Sequence, residues 1–197
     1  QVALDSGRTP WVAVHTMTEW TAEDAGGVVR SSRRSGGARE AEVVTMAAAV
    51  GRPAGARFGT LVHAALATVP LDAGAAERDA LVATNGRIVG ASAEEVAAAV
   101  AAVTAVLEHP LMDGARRAER DGLCYRELPV SMLDGDVLLE GVADLAFDVD
   151  GAITVVDFKT DRAMAPVLDS YVRQVSLYAE AISLATGRPA RAVLLQV

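Results

Sequence analysis

The sequence predicts an α/β protein, and two stretches of the chain carry that prediction. The first is a β-hairpin, in which two apolar, β-branched runs at residues 140–147 and 153–160 flank an Asp-Gly turn. The second is a crossover, in which a helix over about residues 167–186 leads from the hairpin to a last strand at residues 192–197. A strand–helix–strand connection joins parallel strands, so we expect a sheet that contains both strand orientations.

The first 56 residues are expected to form an N-terminal arm or linker that packs on the core. Residues 26–37 are rich in glycine, serine and arginine and predict a mobile loop, whereas residues 39–50 predict a helix. Trp11 and Trp20 are expected to anchor this arm, because isolated large aromatic side chains usually seek burial.

The middle of the chain predicts helices that are followed by the first strand of the sheet. Residues 58–69 carry apolar side chains at helical spacing, and Pro70 ends that helix because its ring cannot continue the hydrogen-bond ladder. Residues 124–132 then alternate in character and predict a strand, which Pro129 assigns to an edge or a bulge. Three more helices are predicted between these two elements, at residues 74–84, 93–108 and 111–121.

Charged side chains near the end of the predicted hairpin indicate a metal site. Asp157 and Lys159 are two residues apart on one strand and emerge on the same face, and Asp144 lies late in the preceding strand, where it can face Asp157. Two neighbouring carboxylates repel each other unless a cation lies between them. Hard oxygen ligands favour Mg²⁺ or Mn²⁺, and a lysine beside the metal can polarise a water molecule.

These residues resemble a known family, the PD-(D/E)XK nucleases. Asp144 followed by Asp157-Phe158-Lys159 resembles the D…(D/E)xK signature of that family. The surrounding residues are similar to its RecB-like branch, because the stretch from Gly59 to His63 resembles the upstream G-x-x-x-H motif and that from Gln174 to Tyr178 the downstream Q-x-x-x-Y motif. The motifs follow the order of the family over a nuclease domain of residues 57–197.

The resemblance implies a fold and a function. The fold is expected to be the restriction-endonuclease-like one, a central mixed β-sheet flanked by helices. The function is expected to be divalent-metal-dependent hydrolysis of DNA, as an exonuclease on single-stranded ends in DNA repair or recombination. The resemblance also implies a helicase domain or subunit as a partner, because nuclease domains of this family commonly belong to a helicase-nuclease. The motif G-x-x-x-x-G-K-[ST] of ATP-driven motors does not occur in the sequence, so this chain is not expected to move along DNA by itself.

The resemblance also implies roles for individual residues. Mg²⁺ or Mn²⁺ would be held by His63 together with two aspartates of the hairpin, although a lone histidine is more often structural when judged from the residues alone. Glu127 has two open interpretations, as an ordinary edge-strand glutamate or as an acidic residue close to the metal. The implied catalytic set is Asp144, Asp157, Lys159, Gln174 and Tyr178.

Composition limits the function further. The formal net charge of −8, from 18 basic and 26 acidic residues, predicts a weak hold on DNA. A single cysteine, Cys124, excludes an internal disulfide and the four cysteines of an iron–sulfur cluster. No apolar run reaches the length of about 18 residues that a membrane span needs, and no signal segment opens the chain, so we expect a soluble cytoplasmic protein. Basic patches are predicted from two sets of arginines, at 30, 33, 34 and 39 and at 116, 117 and 120.

Two other functions stay open from the sequence. One is a catalytically inactive nuclease-like module that binds DNA or serves as a structural element, in which the acidic residues persist without binding metal. The other is a metal-dependent enzyme that acts on something other than DNA, and the acidic balance of the chain is its only support.

Overall fold

A computed structural model describes residues 13–24, 41–47 and 51–197, and it confirms the predicted α/β class. Trp11, the segment 26–37 and the four arginines between 30 and 39 lie outside the described residues. The strands are β1 (Ala13–Thr16), β2 (Glu42–Thr45), β3 (Cys124–Asp134), β4 (Val137–Val149), β5 (Ala152–Lys159) and β6 (Ala190–Gln196). The helices are α1 (Met17–Asp24), α2 (Ala56–Thr68), α3 (Ala75–Val89), α4 (Ala93–Glu108), α5 (Leu111–Arg120) and α6 (Leu168–Thr186).

The described strands form one mixed sheet in the order β1-β4-β5-β6-β2, with β3 paired to β4. The β4–β5 hairpin is antiparallel, and α6 carries the chain across to β6, which pairs parallel with β5 as the crossover predicts. Among the described strands β3 pairs only with β4, so Pro129 lies on an edge strand as expected. The architecture agrees with the restriction-endonuclease-like fold.

The helix predicted over residues 39–50 is wrong where the structure describes that segment. Residues 42–45 form β2, which pairs parallel with β6 from Glu42 opposite Val193 to Thr45 opposite Gln196. The run Val43-Val44-Thr45 is β-branched and favours a strand, and the free edge of β6 supplies the hydrogen-bond partners.

The N-terminal residues that the structure describes also join the core. β1 pairs parallel with the start of β4, and Met17 at the beginning of α1 is fully buried. Trp20 packs against the apolar cluster that contains Met17. It also makes an edge-to-face contact with His15, with ring centroids 5.6 Å apart. Residues 13–24 therefore extend the sheet and cover part of one of its faces.

The sheet lies between two groups of helices and buries a different apolar cluster on each face. Helices α2 to α5 cover one face, and α1 with α6 covers the other. The first cluster includes Phe58, Leu61, Val103, Leu145, Phe147 and Val156. The second includes Met17, Leu139, Val155, Val175, Tyr178 and Leu194.

Helix α4 begins at a capping box. Ser92 Oγ accepts a hydrogen bond from the backbone N–H of Glu95, and Glu95 Oε2 accepts one from the backbone N–H of Ser92, at 3.2 and 2.8 Å. The Arg57 guanidinium of α2 reaches the same carboxylate at 3.0 Å, which ties the two helices together. No single helix among the described residues has the length and hydropathy to cross a membrane, and α4 with α5 meets those criteria only as a pair bent by 77°.

Candidate active site

The alternation of side chains along strand β4 is interrupted at Asp144. Before this residue, Leu139 and Ala143 pack on the side of α1 and α6, whereas Leu145 and Phe147 after it pack on the side of α2 to α5. All four have odd numbers, so a regular strand would place them on one face. The interruption turns the Asp144 side chain toward α2.

In strand β3 the alternation of side chains is interrupted at the position directly opposite Asp144. Cys124 packs toward α2 to α5, whereas Val130 and Met132 pack toward α1 and α6. Glu127, which lies across from Asp144 in register, is not part of the ladder and has φ +49°, a left-handed conformation that is uncommon for residues other than glycine. Burial, followed by the Asp144 charge, raises the pKa of Glu127. Backbone strain and the break in both strands therefore coincide beside Asp144.

The Asp144 carboxylate replaces part of the β4–β5 ladder. The last regular pair is Leu145 with Val156, and the strands part at the next position, where Asp144 lies opposite Asp157. Asp144 Oδ2 accepts the backbone N–H of Phe158 at 2.7 Å, and its Oδ1 lies 3.2 Å from His63 Nδ1. Both oxygens are therefore engaged, and this carboxylate links β5 to α2.

His63 comes from α2, which passes close to the end of β5. A Cβ atom on Gly59, one turn earlier, would lie 3.0 Å from Thr160 Oγ1, so the absence of a side chain there permits the approach. Burial alone would lower the pKa of His63, but the hydrogen bond and charge of Asp144, helped by Asp157, outweigh it and raise that pKa.

Asp157 and Lys159 share one face of β5, as the strand periodicity predicts. The Asp157 carboxylate is buried, with 3% of the residue exposed, and Lys159 Nζ lies 2.9 Å from its Oδ2. This contact is an ion pair, and Oδ2 has no hydrogen-bond partner among the described residues. Burial, then the Asp144 charge, raises the pKa of Asp157 against the opposing effect of Lys159.

Helix α6 holds the Lys159 ammonium in place. Gln174 Oε1 accepts a hydrogen bond from Lys159 Nζ at 3.2 Å, and Nζ lies 4.5 Å from the centroid of the Tyr171 ring. Tyr171 in turn donates from its hydroxyl to Asp161 Oδ2 at 2.9 Å. The resemblance gives no role to Tyr171, although its position three residues before Gln174 places it on the same face of the helix.

The Gln174 amide is the centre of a buried polar network. Its Nε2 donates to the Tyr178 hydroxyl at 2.8 Å and to Thr18 Oγ1 at 2.7 Å. Burial raises the pKa of Tyr178 to about 12, and the ring lies where a Cβ atom on Gly141 would be, 2.5 Å from Tyr178 Cε1. Sequence reasoning did not find Thr18, which comes from α1 and meets Gln174 only in the folded chain.

A cleft of about 830 Å³ opens over these residues, between α2, β3, the end of β5 and α6. His63, Glu127, Lys159 and Tyr171 line it. The structure thus brings together all seven side chains that the sequence selects, by direct contact or across the β3–β4 register. In the part of the chain that is described, no three His, Cys, Asp or Glu side chains are arranged to hold a metal ion.

Comparison with known proteins agrees with this arrangement. The profile of the PD-(D/E)XK nuclease superfamily matches residues 33–197, which include every one of these side chains except Thr18. A comparison with curated proteins finds no match. Members of this superfamily are generally metal-dependent nucleases that use divalent ions such as Mg²⁺, and a nuclease domain binds DNA. The chain belongs to the PD-(D/E)XK nuclease superfamily.

Proposed function

We propose that this chain cleaves DNA in the cleft above Lys159, as a divalent-metal-dependent nuclease of the RecB-like branch. The observation that carries the proposal is the convergence of Asp144, Asp157 and Lys159 where β4 and β5 part. Two carboxylates face each other there, and the one cationic side chain beside them is exposed to the cleft.

The donor atoms fit a divalent ion. Asp157 Oδ2 has no hydrogen-bond partner among the described residues, and the pKa of Asp157 is raised because burial and the Asp144 charge disfavour a second negative charge. Hard oxygen donors of this kind suit Mg²⁺ or Mn²⁺, with His63 as a further ligand of the same site. When bound, such an ion supplies Lewis-acid stabilisation to a phosphate oxygen.

Lys159 is proposed to act on the attacking water and on the phosphate. An ammonium group has three N–H donors and no acceptor. Gln174 Oε1 accepts one N–H of Nζ, the Asp157 carboxylate lies beside Nζ as its ion-pair partner, and Lys159 lines the cleft, so an N–H remains for a water molecule or a phosphate oxygen. In this position the positive charge of the ammonium group stabilises the negative charge that develops in the transition state.

The finer points of the proposal rest on the motifs and on charge. The motifs beginning at Gly59 and ending at Tyr178 support the RecB-like branch, and with it an exonuclease on single-stranded ends in repair or recombination. The absence of a phosphate-binding loop and the net charge of −8 support a helicase partner that delivers the strand. We place residues 57–197 as the nuclease domain and assign it to the cytoplasm.

Cleavage of labelled single-stranded and duplex DNA tests this proposal. We expect degradation that requires Mn²⁺ or Mg²⁺ and that ATP does not stimulate. Asp144→Ala should abolish both cleavage and Mn²⁺ binding measured by calorimetry, whereas Glu140→Ala on the same strand, an exposed residue, should do neither. Mn²⁺ binding by Asp144→Ala equal to that of the parent would contradict the ligand assignment.

A catalytically inactive module is the second candidate. It is favoured by the mutual contacts of the proposed ligands, since His63 already pairs with Asp144, and Asp157 with Lys159. Calorimetry separates the two functions, because an inactive module would bind neither Mn²⁺ nor Mg²⁺, whereas the proposed nuclease binds one of them.

A further inference from the structure

Thr18 lies outside the part of the chain that matches the family, yet it touches the network that holds Lys159. Its Oγ1 accepts a hydrogen bond from Gln174 Nε2 at 2.7 Å, the shortest contact that this amide makes. We propose that Thr18 is a positioning residue, which fixes the direction of the Gln174 amide and through it the Lys159 ammonium. The proposal rests on the nuclease function given above.

The chemistry of the amide gives Thr18 this role. Lysine only donates, so the carbonyl oxygen of Gln174 has to face Lys159, and the NH₂ group has to point away from it. Both N–H bonds of that group are then used, one by Tyr178 and one by Thr18. Gln174 is 6% exposed, whereas Thr18 is exposed and lines an open pocket, so only water at the Thr18 position can replace a lost acceptor. Without the Thr18 hydroxyl, this N–H loses its fixed acceptor in α1, and water in its place leaves the orientation of the amide less defined.

The fold places Thr18 firmly. The Thr16 and Glu19 side chains each accept a hydrogen bond from the other's backbone N–H, at 3.1 and 3.2 Å, and so cap the start of α1. Met17 is fully buried, and β1 pairs parallel with β4 immediately before the helix. The segment 13–24, expected from the sequence to be an arm packed on the core, thereby supplies a side chain to the active site.

Two substitutions at this position separate the hydroxyl from the rest of the side chain. Thr18→Val keeps the shape and removes the acceptor, and we expect it to lower kcat roughly three- to tenfold with KM unchanged. Thr18→Ser restores the hydroxyl and should restore kcat. Thr21→Val is the control on the same helix. The Thr21 hydroxyl donates to the backbone carbonyl of Thr18 and accepts from Ser170 of α6, but it makes no hydrogen bond to Gln174.

The same variants can be tested without any cleavage assay. Lys159 is the single lysine of the sequence, so isotope-labelled lysine gives one side-chain signal in an NMR spectrum. The Tyr171 ring beside Nζ makes the ε-methylene shift sensitive to small movements. We expect Thr18→Val to move this signal, and Thr18→Ser and Thr21→Val to leave it in place.

A double mutant completes the test. If Thr18 acts through Gln174, Thr18→Val should have no further effect on kcat or on the lysine signal in a Gln174→Ala background. A lysine signal unmoved by Thr18→Val, or moved equally by Thr21→Val, would overturn the role of Thr18. If the parent protein fails to cleave any DNA, the nuclease proposal fails, and the lysine signal still decides whether Thr18 positions Lys159.

Discussion

The two ends of the β4–β5 hairpin are built on different principles. At the paired end, where residues 145–149 pair with 152–156, the ladder is regular and buries apolar side chains on both faces. At the open end, from Asp144 and Asp157 to Lys159, the ladder stops, and side chains take over the hydrogen bonds. The paired end supplies stability, whereas the open end holds charges close together in an arrangement that only a rigid frame can maintain.

The largest effect is expected at the paired end. Phe147→Ala removes a ring that is 3% exposed and packs against α5, so we expect a loss of about 3–5 kcal/mol in the free energy of unfolding. Urea unfolding measures it, with Leu184→Ala as a control on a side chain that is 65% exposed. Cleavage per folded molecule should stay at the parent level, and a selective loss of kcat in Phe147→Ala would erase the distinction between the two ends.

Lys159→Ala is the corresponding change at the open end. It removes an ammonium that lines the cleft without opening a cavity in either apolar cluster. We expect a loss on the order of 10²-fold in single-turnover cleavage, with Mn²⁺ affinity retained. A rate within a few-fold of the parent would reduce Lys159 to an ordinary residue at the end of a strand.

The same division explains what the sequence could and could not predict. Local signals in the sequence predict the paired end: the Asp-Gly turn, the apolar, β-branched runs of β4 and β5, and the apolar run in β6. The capping box at Ser92 and the shared face of Gln174 and Tyr178 are equally local. These signals yield the fold class, and with the family motifs they select the seven side chains of the candidate site.

What the sequence missed depends on contacts between distant residues. β2 forms because the edge of β6, about 150 residues away, offers it a partner, and the same few residues have no such partner as an isolated segment. The left-handed Glu127 breaks the alternation that the periodicity argument assumed, and only the opposite strand reveals the break. Thr18 is also invisible locally, since its role comes from an amide 156 residues away.

Two glycines sharpen the comparison between the ends. A Cβ atom on Gly141, at the open end, would lie 2.5 Å from Tyr178 Cε1, whereas one on Gly114, facing the paired end, would lie 3.0 Å from Phe147 Cε2. We expect Gly141→Ala to cost about 1–3 kcal/mol of unfolding free energy and also to lower kcat, because the displaced ring pulls its hydroxyl from Gln174.

Gly114→Ala should cost less stability than Gly141→Ala and leave kcat unchanged. Urea unfolding and single-turnover cleavage of both variants measure the two quantities together. Equal losses of kcat in the two variants would mean that the Tyr178 ring is not a specific support of the site.

The smallest effect concerns how well the paired end excludes water. The reactivity of Cys124 reports on it, because Cys124 lies opposite Phe147 in the β3–β4 ladder. Burial, then the charge of Glu119, raises the pKa of this thiol to about 11, although Arg126 acts in the opposite direction. Alkylation by iodoacetamide at pH 8 should therefore be much slower in the folded protein than in urea, since the thiolate is the reactive form.

The raised thiol pKa also predicts the sign of a change in stability with pH. A group that holds its proton more tightly in the folded state contributes stability that is fully present below its unfolded pKa, and that contribution is lost as the pH rises through the folded value. For Cys124 the window runs from about pH 9 to about pH 11. The free energy of unfolding should decrease across this window more steeply in the parent than in Cys124→Ser, because serine does not titrate there. If the unfolding free energy fell with pH equally in the two proteins, water would reach the thiol and the paired end would exclude water less well than its packing indicates.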